Sequence, residues 1–137
     1  MYKKTITFED YEGITRTENH YFNLTKTELV KMQASVTGGF DKKIERIMTE
    51  LNGAEIIETV DDLIKRSYGV KTLDGKGFDK SPKHYEAFIQ SPAYDVMFME
   101  FVTDANKLAE FVNGIIPADL AKQIAEQNVT PNVAALN

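Results

Sequence analysis

Polar and apolar residues alternate at the start of the chain, a spacing typical of a β-strand with one buried face. Tyr, Lys, Lys, Thr, Ile, Thr and Phe follow one another over residues 2–8, and a second β-favouring run covers residues 14–24. The connection between them, residues 9–13, is polar and ends in glycine, as hairpin turns often do. This pattern predicts a β-hairpin over residues 1–24. Its edges are candidate contact surfaces, because a two-stranded ribbon alone is marginally stable.

Helical spacing replaces the alternation after residue 24. Thr25 and Glu28 form a capping-box pattern, and proline stands at the first helical position after Ser81 and after Ser91. Glycine or asparagine follows several of the apolar stripes and indicates where helices end. The seven predicted helices begin at Thr25, Asp41, Ala54, Ser81, Ser91, Thr103 and Pro117. The helix from Thr25 is predicted to stop at Gly38, that from Asp41 at Asn52, that from Ala54 at Gly69 and that from Thr103 at Asn113. Residues 70–80 are glycine-rich and predict an exposed loop or a short hairpin.

The predicted fold is therefore mainly α (α+β), an N-terminal β-hairpin followed by about seven short helices around one core. With 137 residues and 42% hydrophobic content, the chain can build one core of useful size but not two. We expect a single domain over residues 1–127, with a hairpin in 1–24 and helices in 25–127. Residues 128–137 have few apolar anchors and predict a flexible C-terminal tail.

The predicted helix after Ser91 carries large apolar residues on more than one side. A step of 100° per residue spreads them around the helix, so a single buried face cannot hold them all. This helix is either buried on nearly all sides or exposes an apolar patch for a partner, and methionine suits adaptable binding surfaces. The candidate partner-binding residues are Tyr94, Met97, Phe98, Met99 and Phe101.

The composition argues against several classes of protein. The net charge is −5, with the acidic excess in residues 52–137, and such a surface repels nucleic acid. The absence of cysteine excludes disulfides, thiolate zinc sites and cysteine nucleophiles. The N-terminus has no apolar signal segment and no stretch is long enough to span a bilayer, so we expect a soluble protein with no membrane partner.

No residues assemble into a convincing active site. His20 and His84 stand in different elements without a recognisable nucleophile, and surface histidines are the simpler interpretation. Glu58 and Asp62 share a helix face with Glu55 and Asp61 nearby, which could hold magnesium, but Lys65 and Arg66 offer ordinary ion-pair partners. Residues 72–79 lack the ligand spacing of a calcium loop and the ending of a phosphate loop. We expect no catalytic residue, no cofactor and no metal.

Four segments carry a resemblance to a known family. They are Tyr21-Phe22-Asn23-Leu24-Thr25, Ser67-Tyr68-Gly69 with Asp74-Gly75 and Phe78, Ser91-Pro92-Ala93-Tyr94 running into Phe98-Met99-Glu100, and Phe111-Val112-Asn113-Gly114-Ile115-Ile116-Pro117. Over residues 14–120 the chain resembles the tail assembly chaperones of long-tailed (siphovirus-type) bacteriophages. The shared pattern consists of helix caps and aromatic residues, with no catalytic signature.

The resemblance implies a protein that is not an enzyme and acts in the host cytoplasm. It would bind the tape measure protein, with the tail tube protein as a second candidate partner. It would keep the tape measure protein soluble, promote tail tube assembly and be absent from the mature virion. Many family members are made in two lengths by a ribosomal frameshift, and self-association would suit the coating of a long client. Two alternatives stay open: an acidic phage protein that inhibits a host factor, and a small carboxylate-dependent enzyme.

Overall fold

The computed structural model describes residues 1–35, 39, 42, 46 and 53–117. Within them the chain is mixed α+β, with an N-terminal antiparallel hairpin as predicted. The strands are β1 (Tyr2–Glu9), β2 (Thr15–Phe22), β3 (Tyr68–Lys71) and β4 (Phe78–Asp79). The helices are α1 (Lys26–Ser35), α2 (Gly53–Ser67), α3 (Pro82–Ile89), α4 (Pro92–Thr103) and α5 (Ala105–Ile115).

The four strands form one antiparallel sheet in the order β1-β2-β3-β4. β1 and β2 pair over their whole length, from Tyr2 opposite Phe22 to Glu9 opposite Thr15. β3 pairs with β2 only at Tyr21 and Phe22, so most of the hairpin projects beyond the rest of the sheet.

Alternation in β1 separates a buried face from an exposed face. Ile6 and Phe8 are buried, as is Phe22 of β2, whereas the odd-numbered residues of β1 are exposed. Helices α4 and α5 pack against β1 on its buried face. The opposite face of the hairpin is polar, with side-chain hydrogen bonds between Thr5 and Asn19 and between Thr7 and Thr17.

The region 25–127, predicted to be helical, also contains strands, which corrects that prediction. Helix α2 ends at Ser67, and Tyr68, expected in the helix, begins β3. Tyr68 is held there because its ring stacks on Phe88 at 4.4 Å. Gly69 pairs with β2 and lies under the Phe78 ring, which a Cβ atom would approach to 2.6 Å. Residues 68–79 form the short hairpin that was one of the two predicted alternatives.

The number of helices also differs from the prediction, since seven were predicted and the described residues contain five. The predicted helix from Asp41 falls almost entirely outside the described residues. The predicted helix from Pro117 and the predicted tail 128–137 extend beyond the last described residue. No helix in the described part of the chain is long and apolar enough to cross a membrane.

Side-chain caps account for most of the helix starts. Thr25 and Glu28 bond each other's backbone amides at 3.1 and 2.9 Å, which confirms the capping box. Ser91 accepts a hydrogen bond from the Ala93 amide, as an N-cap does. Ser81 precedes α3 as predicted but does not cap it, because its hydroxyl donates to Asp79 instead.

The predicted stop at Asn113-Gly114 is wrong, because α5 continues to Ile115. Gly114 faces the Tyr2 ring, and a Cβ atom there would lie 2.5 Å from Tyr2 Cδ2. Glycine at this position therefore allows close contact between α5 and β1 instead of ending the helix.

Candidate docking surface

Helix α4, which carries all five candidate partner-binding residues, packs between the sheet and the other helices. Met97 is fully buried and Phe101 is 1% exposed, and both belong to the core cluster. The Phe101 ring stacks on Phe111 of α5 at a centroid distance of 4.6 Å. The structure therefore makes Met97 and Phe101 core residues, and neither is accessible to a partner while the fold is intact.

Tyr94 and Phe98 lie on the side of α4 that faces α2 and α3. Their rings stack at 5.7 Å, and Tyr94 makes an edge contact with Phe88 of α3 at 5.8 Å. Both side chains are partly buried and pack against the core. They contribute more to helix packing than to an open surface.

A carboxylate on α2 joins the same three helices. The Tyr94 hydroxyl donates to Asp61, and the Tyr85 hydroxyl of α3 lies 3.4 Å from the same oxygen. Burial and the neighbouring negative charge of Asp61 raise the pKa of Tyr85 to about 12 and also raise that of Tyr94. Both phenols are therefore neutral hydrogen-bond donors at physiological pH. Through them, Asp61 links α2 to α3 and α4.

Two of the exposed residues of α4, Val96 and Met99, form a small apolar surface, which we call the apolar flank; Asp95 and Thr103 of the same helix are exposed as well. Val96 is 40% exposed and Met99 is 50% exposed, and the two are neighbours at i, i+3 on the helix. Of the predicted residues, only Met99 is largely exposed. Val96, which was not among them, shares this surface.

The apolar flank lies beside β1. Glu100, one turn after Val96, places a carboxylate oxygen 2.7 Å from the Lys4 ammonium of β1. Residues at i and i+4 lie on the same side of a helix, so Val96 also faces the β1 side of α4. Met99 adjoins both residues on the solvent side.

The outer edge of β1 is the second surface, which we call the β1 edge. The Asp10 amide donates to the Ile14 carbonyl at 2.8 Å, so this pair is hydrogen-bonded. Hydrogen-bonded and non-hydrogen-bonded pairs alternate along an antiparallel ladder. The even-numbered residues of β1 therefore bond to β2, and Lys3, Thr5, Thr7 and Glu9 direct their amides and carbonyls outward. Within the described residues, no strand pairs with this edge.

Three of the four carboxylates considered for magnesium have protein partners, and Glu58 is exposed to solvent. Asp62 pairs with Arg66 at 2.8 Å, as the sequence suggested, and Asp61 accepts from tyrosine. Glu55 pairs with Arg46 at 2.8 Å. Among the residues that the structure describes, no group of three or more potential ligand side chains could hold a metal ion.

Both histidines bond to neighbouring side chains. His20 Nδ1 lies 3.2 Å from the Tyr68 hydroxyl, and its Nε2 lies 3.1 Å from Glu18. Burial lowers the pKa of His20, against the opposing effect of Glu18. His84 Nε2 lies 3.0 Å from Asp79. Among the residues that the structure describes, neither histidine forms a hydrogen bond with a serine or threonine hydroxyl, so this part of the chain offers protein contacts and no nucleophile–base pair.

One comparison with known proteins gives a match. A family model described as phage tail assembly chaperone matches residues 1–136. No curated protein and no solved structure matches the chain. The match extends the region of resemblance from residues 14–120 to almost every residue, including the whole of β1.

Proposed function

The chain belongs to the phage tail assembly chaperone family, and from that premise we propose that it binds the tape measure protein, keeps it soluble and promotes assembly of the tail tube. The tail tube protein is a second candidate partner. In this proposal the protein works by reversible binding and not by catalysis.

The apolar flank is the observation that supports a binding role most directly. Val96 and Met99 are exposed on a well-packed helix whose Ala93, Met97 and Phe101 are buried in the core, so the flank is held in place. Moving a valine or methionine side chain from full exposure to full burial contributes roughly 1.5–3 kcal/mol, so covering these half-exposed side chains contributes roughly half as much each. Methionine also adapts to irregular apolar partners. A client with apolar helices would cover this surface, while the net charge of −5 would keep the complex dispersed.

Self-association and location complete the proposal. Coating a long client requires several copies of a small protein, and the β1 edge, with which no described strand pairs, offers main-chain groups for contact between copies. The protein would act in the host cytoplasm and be absent from the mature virion.

Co-expression with the candidate tape measure protein tests this function. We expect the client to move from the pellet to the soluble fraction, in a complex whose mass by light scattering requires several copies of this chain. A client that precipitates unchanged, with this protein remaining alone, would contradict the proposal. A salt-sensitive one-to-one complex with a host protein, recovered from host extract, would instead support the inhibitor alternative.

A further inference from the structure

The exposed face of β1 has opposite charges at its two ends. Lys3 and Glu9 are both exposed and lie on the same face, separated by Thr5 and Thr7. Neither residue forms an ion pair within the described part of the chain. Six residues of extended strand separate them by roughly 20 Å. This exceeds the screening length of about 8 Å at physiological salt, so the two charges do not interact within one copy.

We propose that two copies of this chain associate through their β1 edges, antiparallel, with Lys3 of each copy opposite Glu9 of the other. Antiparallel pairing with this register reverses the strand, so the basic end of one β1 meets the acidic end of the second. Thr5 of one copy is then opposite Thr7 of the other. The twofold axis passes between the two Ile6 residues.

The main-chain geometry admits this register. Only the odd-numbered residues of β1 direct amides and carbonyls outward, so hydrogen-bonded pairs across the new interface must join odd-numbered residues. Lys3 with Glu9 and Thr5 with Thr7 satisfy that condition, and each pair occurs twice by symmetry. A shift of two residues also satisfies it, but places Lys3 opposite Thr7 or Glu9 opposite Thr5 and separates the charges. Opposite charges directly across a strand pair stabilise it, which favours the unshifted register.

The paired strands would join two four-stranded sheets into one of eight strands. The outer edge of this eight-residue strand has no partner among the described residues, and such an edge is a template for unwanted pairing that the dimer would cover. Because the twofold axis is perpendicular to the sheet, the α4 helices of the two copies lie on the same face of the joined sheet. The two apolar flanks would then face the same side of the dimer and present one client with two copies of the surface.

This inference extends the self-association in the proposed function, and its test uses no client, so its failure would leave client binding untouched. Sedimentation equilibrium of the purified chain gives the dissociation constant of the dimer. We expect Lys3→Glu and Glu9→Lys each to weaken the dimer by about tenfold, because each creates two like-charge pairs. The double variant restores two opposite-charge pairs and should return to within about threefold of wild type.

The result of the double variant is decisive. Restoration requires that residues 3 and 9 of different copies are neighbours, because they do not interact within one copy. If the double variant weakens the dimer by as much as the two single substitutions together, residues 3 and 9 are not neighbours across the interface, and the proposed register is wrong. A wild-type chain that stays monomeric at the highest concentration reached would overturn the dimer.

A pair of proline variants tests the edge itself. Thr7→Pro removes an amide at the β1 edge, and Thr17→Pro removes one at the opposite edge of the hairpin. Both remove the same hydrogen bond between the Thr7 and Thr17 hydroxyls, so their effects on the hairpin are matched. We expect Thr7→Pro to abolish the dimer and Thr17→Pro to retain it, with circular dichroism confirming the fold of each. If both variants still form the dimer, or if Thr17→Pro weakens the dimer more than Thr7→Pro does, the β1 edge is not the dimer interface. That edge would then be open to a strand of another protein.

Discussion

The ammonium of Lys4 lies 2.7 Å from a carboxylate oxygen of Glu100 and joins strand β1 to helix α4. Their side chains are 17% and 30% exposed, so water screens the pair only partly. Lys4 also lies over the Phe101 ring, 5.7 Å from its centroid. This contact sets which side of α4 faces the sheet and therefore where the apolar flank lies.

Breaking that ion pair should destabilise the fold moderately. We expect Lys4→Met and Glu100→Gln each to lower the free energy of unfolding by about 1 kcal/mol, as measured by urea denaturation. The double variant should lose less than the two single effects combined, because both remove the same contact. Strictly additive losses would show that the pair makes no net contribution.

Lys80, in the connection between β4 and α3, should contribute substantially to the stability of the fold. Its ammonium donates to the carbonyls of Asn23 and Arg66, at 2.6 and 2.8 Å, and to the carboxylate of Glu28 at 2.7 Å. Lys80→Met leaves these acceptors without their donor and should cost about 2 kcal/mol in urea denaturation.

The matched control for Lys80 is Lys76→Met, which changes an exposed lysine in the loop between β3 and β4. We expect no more than about 0.5 kcal/mol for that variant. Equal effects of the two substitutions would show that the Lys80 contacts are not stabilising.

His20 should make stability depend on pH just below neutrality. Burial lowers the pKa of the folded-state imidazole below its ordinary value of 6.5. The unfolded chain therefore binds the proton more readily, and stability falls as pH drops through 6.5 towards the folded-state pKa. Urea midpoints between pH 7.5 and 5.5 should decline for wild type and decline less for His20→Gln. Parallel declines would assign the effect to other groups.

At Gly114 the usual preference of helices for alanine over glycine should be reversed. Alanine normally stabilises a helix interior by about 1 kcal/mol relative to glycine. Here its Cβ atom would overlap the Tyr2 ring, so we expect Gly114→Ala to destabilise the protein by about 1–2 kcal/mol. In a Tyr2→Ala background the same substitution should become stabilising. A stabilising Gly114→Ala in the wild-type background would contradict the close packing of α5 on β1.

Local signals in the sequence predicted the parts of the fold that depend on neighbouring residues. The hairpin, the Thr25–Glu28 capping box and the starts of α3 and α4 at proline were all confirmed, because alternation and caps act within a few residues. Strand β3 was missed because Tyr68 is held by stacking on Phe88, a contact that residue spacing does not reveal. Gly114 was interpreted as a stop for the same reason, since its partner Tyr2 stands at the other end of the chain.

The candidate surface could be located by sequence only to the level of one helix. The apolar residues of α4 spread around it, and nothing within the helix tells which side meets the sheet. The Lys4–Glu100 contact and the burial of Met97 decide that point, and they leave Met99 and Val96 outside. A partner that binds α4 in the folded protein would therefore contact those two residues.

The most direct test of the account is client solubility with variants of the apolar flank. Val96→Asp and Met99→Asp change exposed residues and should leave the fold intact. Leu73→Asp is the matched control, because Leu73 is a fully exposed apolar residue on the loop between β3 and β4. Co-expressed with the tape measure protein, the two flank variants should lose most of the soluble client, while Leu73→Asp retains it. Equal recovery of soluble client with all three variants, at wild-type level, would contradict the assignment of the apolar flank as the client-binding surface.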